Sequence, residues 1–125
     1  MTAILVVYVI GFLEGTGAHA MYVIDGGLHA FRGFPLPSQV FLHLLLVLDP
    51  LVAYLVWRRR PAAPILAAAV MFGDLLVNWQ GNWAYVHTHP STLLRPYGLP
   101  VLTLFGLFVF ATAVHLHREF RRSVA

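Results

Sequence analysis

Three carboxylates, Glu14, Asp49 and Asp74, stand inside long runs of apolar residues. Ionisable groups in such runs are costly to bury, and they usually face a bundle interior or a wet cavity. Two histidines, His19 and His43, share these runs, as do Asn78, Trp79 and Asn82. Carboxyl groups in a low-dielectric site suit acid/base work, in which one donates a proton while another accepts. They also suit the capture of a positive charge. Glu14, Asp49 and Asp74 are therefore the expected catalytic groups, with His19, His43, Asn78, Asn82 and Trp79 around them as ligand-binding residues.

Depth along the chain brings the acids to one level. Counted inward from the loops at 25–37 and 87–96, each of the three lies roughly ten to twelve residues deep, near the midpoint of a span rising about 1.5 Å per residue. His19 and His43 lie roughly five residues deep on the same count, with Asn82 at a similar height. The simplest arrangement is a polar pocket that opens outward and is floored by three acids. Helical phase supports part of it. Asp74, Asn78, Gly81 and Tyr85 recur at i, i+4, i+7 and i+11, one face of a helix, and Asn82 flanks that stripe. Gly11 and Gly15 form a G-x-x-x-G step beside Glu14, where a second helix has room to approach. Phase also sets a limit, because Glu14 and His19 diverge by about 140°, and His43 and Asp49 by about 120°.

The elements that must position these groups follow from composition. Of 125 residues, 59% are hydrophobic and 10% charged, whereas a soluble domain is about half apolar and about a quarter charged. The expected fold is all-α, one integral membrane four-helix bundle, with helices near 3–24, 38–57, 61–86 and 97–117. Spans of about 20 residues use up most of the chain and leave no separate soluble domain. Ala3–Leu13 with Ala18-His19-Ala20 imitates a secretory signal, but no basic residue precedes the run. Pro50 sits inside the second run and predicts a kink near Asp49-Pro50. Pro61 and Pro64 fit the opening turn of the third helix.

All basic residues are arginines. Arg58, Arg59, Arg60, Arg118, Arg121 and Arg122 fall on one side of a four-span layout, against Arg32 and Arg95 on the other. The positive-inside rule places the six-arginine side in the cytoplasm, with both termini, in a cytoplasmic (inner) membrane of the bacterial type. Trp57, Trp83, Tyr85 and Tyr97 fit interfacial anchoring. The arginines flank apolar runs and line no single face, so membrane lipids are expected partners and nucleic acid is not.

Several chemistries are set aside. No cysteine is present, which removes disulfides, thiolate metal sites and cysteine nucleophiles. His87-x-His89 and His29 lie in loops, and no His-x-x-x-His pair exists, so no metal is expected. A haem between His19 and His43 has matching depths but no other support. No nucleotide loop or G-x-S-x-G elbow occurs, and no cofactor is implied.

The Gly11–Asp25 segment, His43 with Asp49-Pro50-Leu51, and Arg95-Pro96-Tyr97 give the chain a resemblance to the emopamil-binding-protein (EXPERA-like) superfamily. That group of four-helix membrane proteins includes sterol isomerases and sigma-type receptor relatives. The likeness is mainly architectural. In the family a histidine precedes the first acid, whereas here Glu14 precedes His19, and an acid stands near the place of His43. What the resemblance implies is an acid-lined intramembrane cavity for a lipid-like or cationic amphiphile. The leading expectation is such a pocket, with isomerase-type acid/base chemistry as its enzymatic form. One alternative is a proton- or cation-coupled transporter or channel subunit, working as a homo-oligomer because four helices enclose little space. The other is a structural subunit whose acids pair with helices of another protein.

Overall fold

A computed structural model describes residues 2–29, 31, 33–94 and 99–124. Four long helices make up nearly all of it: α1 (Thr2–Gly26), α2 (Leu36–Trp57), α3 (Ala63–Thr88) and α4 (Leu99–Val124). Each is long and apolar enough to cross a membrane. Short 3-10 turns, Gly27–His29 and Pro90–Leu94, lead out of α1 and α3.

The helix ends have local causes. α1 runs on through Asp25 and stops where Gly27 takes a φ of +58°, a left-handed conformation that costs glycine little. Pro37 and Pro64 sit in the first turns of α2 and α3, where a missing N–H is not needed. α2 continues through Pro50 as one helix. It closes in a Schellman turn, in which Arg60 N–H donates to Leu55 O at 3.0 Å and Arg59 N–H to Val56 O at 2.9 Å. Arg59 pays for that turn with a left-handed φ of +55°. α4 extends past the expected end at 117 because Arg118–Arg122 propagates helix well, and Arg122 reaches Glu119 at 3.0 Å on its surface. The expected start of the fourth helix at Tyr97, and the Arg95-Pro96-Tyr97 match, lie outside the described residues.

The helices form a ring in which α1 packs on α2 and α4, and α3 packs on α2 and α4. Short connections make neighbours antiparallel. Tyr8 of α1 meets Val109 and Thr112 of α4, whereas Phe12, one turn later, meets Phe105. Most outward side chains are apolar on each helix, including Ile10, Leu13, Val47, Phe72, Leu76, Leu104 and Leu107. A soluble helix would carry charge there.

Close packing and hydrogen bonds tie the helices to one another. Gly11 makes room for the Phe105 ring, and Gly106 for Leu75 and Met71. Tyr8 donates to the Val109 carbonyl at 3.0 Å and lies 2.7 Å from the Thr112 hydroxyl, joining α1 to α4. At the arginine-bearing end, His117 Nδ1 donates to the Pro61 carbonyl at 2.5 Å, which ties α4 to the α2–α3 connection. This gathers Arg58–Arg60 and Arg118–Arg122 at one end of the bundle. The interior nearest that end is apolar: Leu5, Val52, Val56, Ala67, Leu116 and Phe120 are all buried.

Candidate functional site

Two of the three acids turn inward. Asp49 of α2 and Asp74 of α3 are buried, at 2% and 4% exposure. His19 of α1 joins them: one ligand atom each from His19, Asp49 and Asp74 all lie within 4.8 Å of one another. His19 Nε2 stands 3.8 Å from Asp49 Oδ2.

The backbone explains why α1 supplies His19. Gly15 faces α2 so closely that a Cβ there would stand 2.8 Å from Asp49 Oδ2. His19 is one turn beyond Gly15, on the same face. Glu14 is one residue before it, rotated by about 100°. It is exposed on the outer surface of the bundle. The expected convergence of three carboxylates is thus corrected to two carboxylates and a histidine, because burying Leu5, Tyr8 and Phe12 commits α1 to a rotation that turns Glu14 outward.

The two aspartates differ in their partners. Asn78 Nδ2 donates to Asp74 Oδ1 at 2.6 Å and to the Asp74 carbonyl at 2.9 Å. Asn82 Nδ2 donates in turn to the Asn78 carbonyl at 2.8 Å, continuing a polar ladder along α3. Asp49 Oδ2 is buried with no hydrogen-bond partner among the described residues, as are His19 Nδ1 and His43 Nε2. Two carboxylates this close, away from water, need a positive charge or a shared proton between them.

Other expected site residues take separate places. His43 packs edge-on against Phe31, with ring centroids 5.4 Å apart, and His19 packs on the same ring at 6.2 Å. Phe31, from the α1–α2 connection, is also in contact with Tyr22 and Phe34, so it forms an aromatic plug beside the two histidines. Trp79 turns to α4, where its indole N–H donates to Thr103 Oγ1 at 3.0 Å. His87, expected in a loop, falls in the last turn of α3 with its ring tilted against Trp83 at 4.4 Å; His89, just past the helix, stacks on Tyr85 at 4.3 Å, while His29 is exposed.

Sequence reasoning passed over Phe31, Tyr8, Thr103 and Thr112. The two threonines and Tyr8 carried a usable signal, as hydroxyls inside apolar runs seek partners across a bundle. Phe31 carried none, because an aromatic in a glycine-rich connection has no helical or strand periodicity to place it.

No family model, curated protein or solved structure matches the chain.

Proposed function

We propose that the chain is an integral membrane protein, spanning the bilayer four times with both termini in the cytoplasm, and that it binds a positively charged ligand between Asp49 and Asp74. The largely apolar outer surface of all four helices supports the membrane assignment. The gathering of six arginines at one end supports the orientation.

Asp49 carries the binding proposal. Its carboxylate is buried, its Oδ2 has no hydrogen-bond partner among the described residues, and a second buried carboxylate stands close by. An unpaired buried polar group costs about 1–3 kcal/mol, and more when it is charged. A cation between the two aspartates removes that cost and their mutual repulsion. An amphiphile with a cationic head, drawn from the bilayer, is one carrier of that charge, in keeping with the acid-lined cavity of the emopamil-binding-protein likeness. Acid/base turnover of a bound lipid would use the unequal pair, Asp49 free to exchange a proton and Asp74 held by Asn78. The apolar layer between the site and the arginine end favours a binding site over a route across the membrane.

The test is thermal unfolding of the purified protein in a neutral detergent, with dodecyltrimethylammonium or an uncharged dodecyl analogue added. The cationic compound should raise the melting temperature of the wild type and not that of Asp49→Asn or Asp74→Asn. Equal stabilisation by the uncharged analogue, or of the two variants, would overturn the assignment.

A further inference from the structure

We propose that the cation received by His19, Asp49 and Asp74 is a divalent first-row transition-metal ion, coordinated by one imidazole nitrogen and two carboxylate oxygens. This rests on the cation-binding reading above and narrows its ligand class.

Geometry comes first. Ligand atoms of all three residues fall within 4.8 Å of one another, and the His19–Asp49 pair is at 3.8 Å. Two ligands each about 2.1 Å from a shared ion lie about 3.4 Å apart in tetrahedral geometry. Small side-chain rotations therefore bring the three donors onto one ion. They come from three different helices, α1, α2 and α3, so an ion would cross-link the bundle where it is most polar.

Charge selects the valence. Two ionised aspartates and a neutral imidazole carry two negative charges, which a divalent ion cancels in full. A monovalent cation balances the pair only if one aspartate also keeps a proton, whereas a divalent ion needs none. Donor chemistry selects the metal class. Imidazole with carboxylates suits zinc, iron or manganese, whereas magnesium and calcium prefer all-oxygen shells. Three protein donors also leave a coordination position open, as in catalytic zinc sites.

The surroundings fit this occupant. Asp49 Oδ2 is the buried, unpartnered donor aimed at the cluster. Gly15 leaves the space that this oxygen occupies, since any Cβ there would stand 2.8 Å from it. Asn78 grips Asp74 Oδ1 at 2.6 Å and so orients that carboxylate, the role of an outer-shell partner at a metal site.

The test uses the full chain in neutral detergent, stripped with a chelator and titrated with Zn2+ against a competing chelator, and with Co2+ read by its visible absorption. Wild type should take up one ion per chain, and Co2+ should show the bands of a low-symmetry nitrogen/oxygen site. His19→Gln, Asp49→Asn and Asp74→Asn should each lose those bands and bind at least about tenfold more weakly, and Asn78→Ala should bind about 10–100-fold more weakly. A His87→Ala/His89→Ala double variant, which removes the two histidines at the end of α3, should bind like wild type. Circular dichroism and melting of each variant confirm that it is folded. No uptake, uptake unchanged in the three ligand variants, or uptake lost in the His87/His89 double variant would each overturn the metal. If dodecyltrimethylammonium still stabilises wild type but not Asp49→Asn while no metal binds, the metal alone is wrong and the cation reading stands. If neither binds, a proton shared by the aspartates is the occupant and both proposals fall.

Discussion

His19 and Asp49 meet across the α1–α2 contact, with Nε2 of the imidazole 3.8 Å from Oδ2 of the carboxylate, although a residue count places them at different depths. Side chains on a helix lean toward its N-terminus. α1 and α2 are antiparallel, so His19 leans toward the arginine end and Asp49 leans toward the opposite end. The two lean into one another. Gly15 makes the approach feasible, because a Cβ there would come within 2.8 Å of Asp49 Oδ2, closer than side-chain contacts allow.

Gly15→Ala should accordingly damage the site. A methyl group 2.8 Å from Asp49 Oδ2 must push the carboxylate or the helix aside. Lower melting temperature and loss of cation binding are expected. Gly17, with nothing within 4 Å of its would-be Cβ, is the control. Gly17→Ala should be neutral or stabilising by about 0.5–1 kcal/mol, through helix propensity alone. Thermal unfolding of the two variants side by side makes the comparison.

The amide variants separate charge from hydrogen bonding. Asp74→Asn keeps an acceptor for Asn78 and relieves the burial of a charge, so its stability should equal or slightly exceed that of the wild type. Cation binding should be lost. Asp74→Ala removes the acceptor as well and should cost about 1–3 kcal/mol. If the amide destabilises as much as the alanine, Asp74 is structural. Glu14→Gln lies outside the cluster and should leave binding as in the wild type.

Tyr8→Phe tests the brace between α1 and α4. It removes the bond to the Val109 carbonyl and the contact with Thr112, yet keeps a ring against Phe105 and Phe108. A loss of about 1 kcal/mol is expected, with cation binding unchanged. Denaturant unfolding in detergent would measure it.

The proposed orientation predicts the outcome of reporter fusions. Reporters placed after Arg60 and after Ala125 should read cytoplasmic, and one placed within Thr88–Leu94 should read external. A cytoplasmic signal from the α3–α4 connection would contradict a four-span topology.

Much of this was legible without coordinates. The inward turn of Asp74 followed from the i, i+4 spacing to Asn78, and the same spacing produced the 2.6 Å hydrogen bond between them. The G-x-x-x-G step marked a close approach, although its two glycines serve different neighbours, Gly11 receiving Phe105 and Gly15 receiving Asp49. Glu14 and His19 were recognised as pointing apart by about 140°, but which of the two faced inward was not. A depth count along each helix axis favoured Glu14, because it ignored the lean of the side chains.

Run length and composition by themselves determined that four apolar helices form, and short connections determined that they alternate in direction. These are local properties: about 20 apolar residues make a membrane-length helix whatever lies beside them. Which polar groups meet was decided only by the tertiary structure. A rotation of α1 by about 100°, one residue's worth, would put Glu14 at the interface in place of Gly15. Tyr8 and Phe12 hold α1 against that rotation by packing on α4, and the Tyr8–Val109 bond joins residues 101 positions apart. No pattern within α1 encodes its partner's surface, so His19 became the third member of the cluster only when the helices packed.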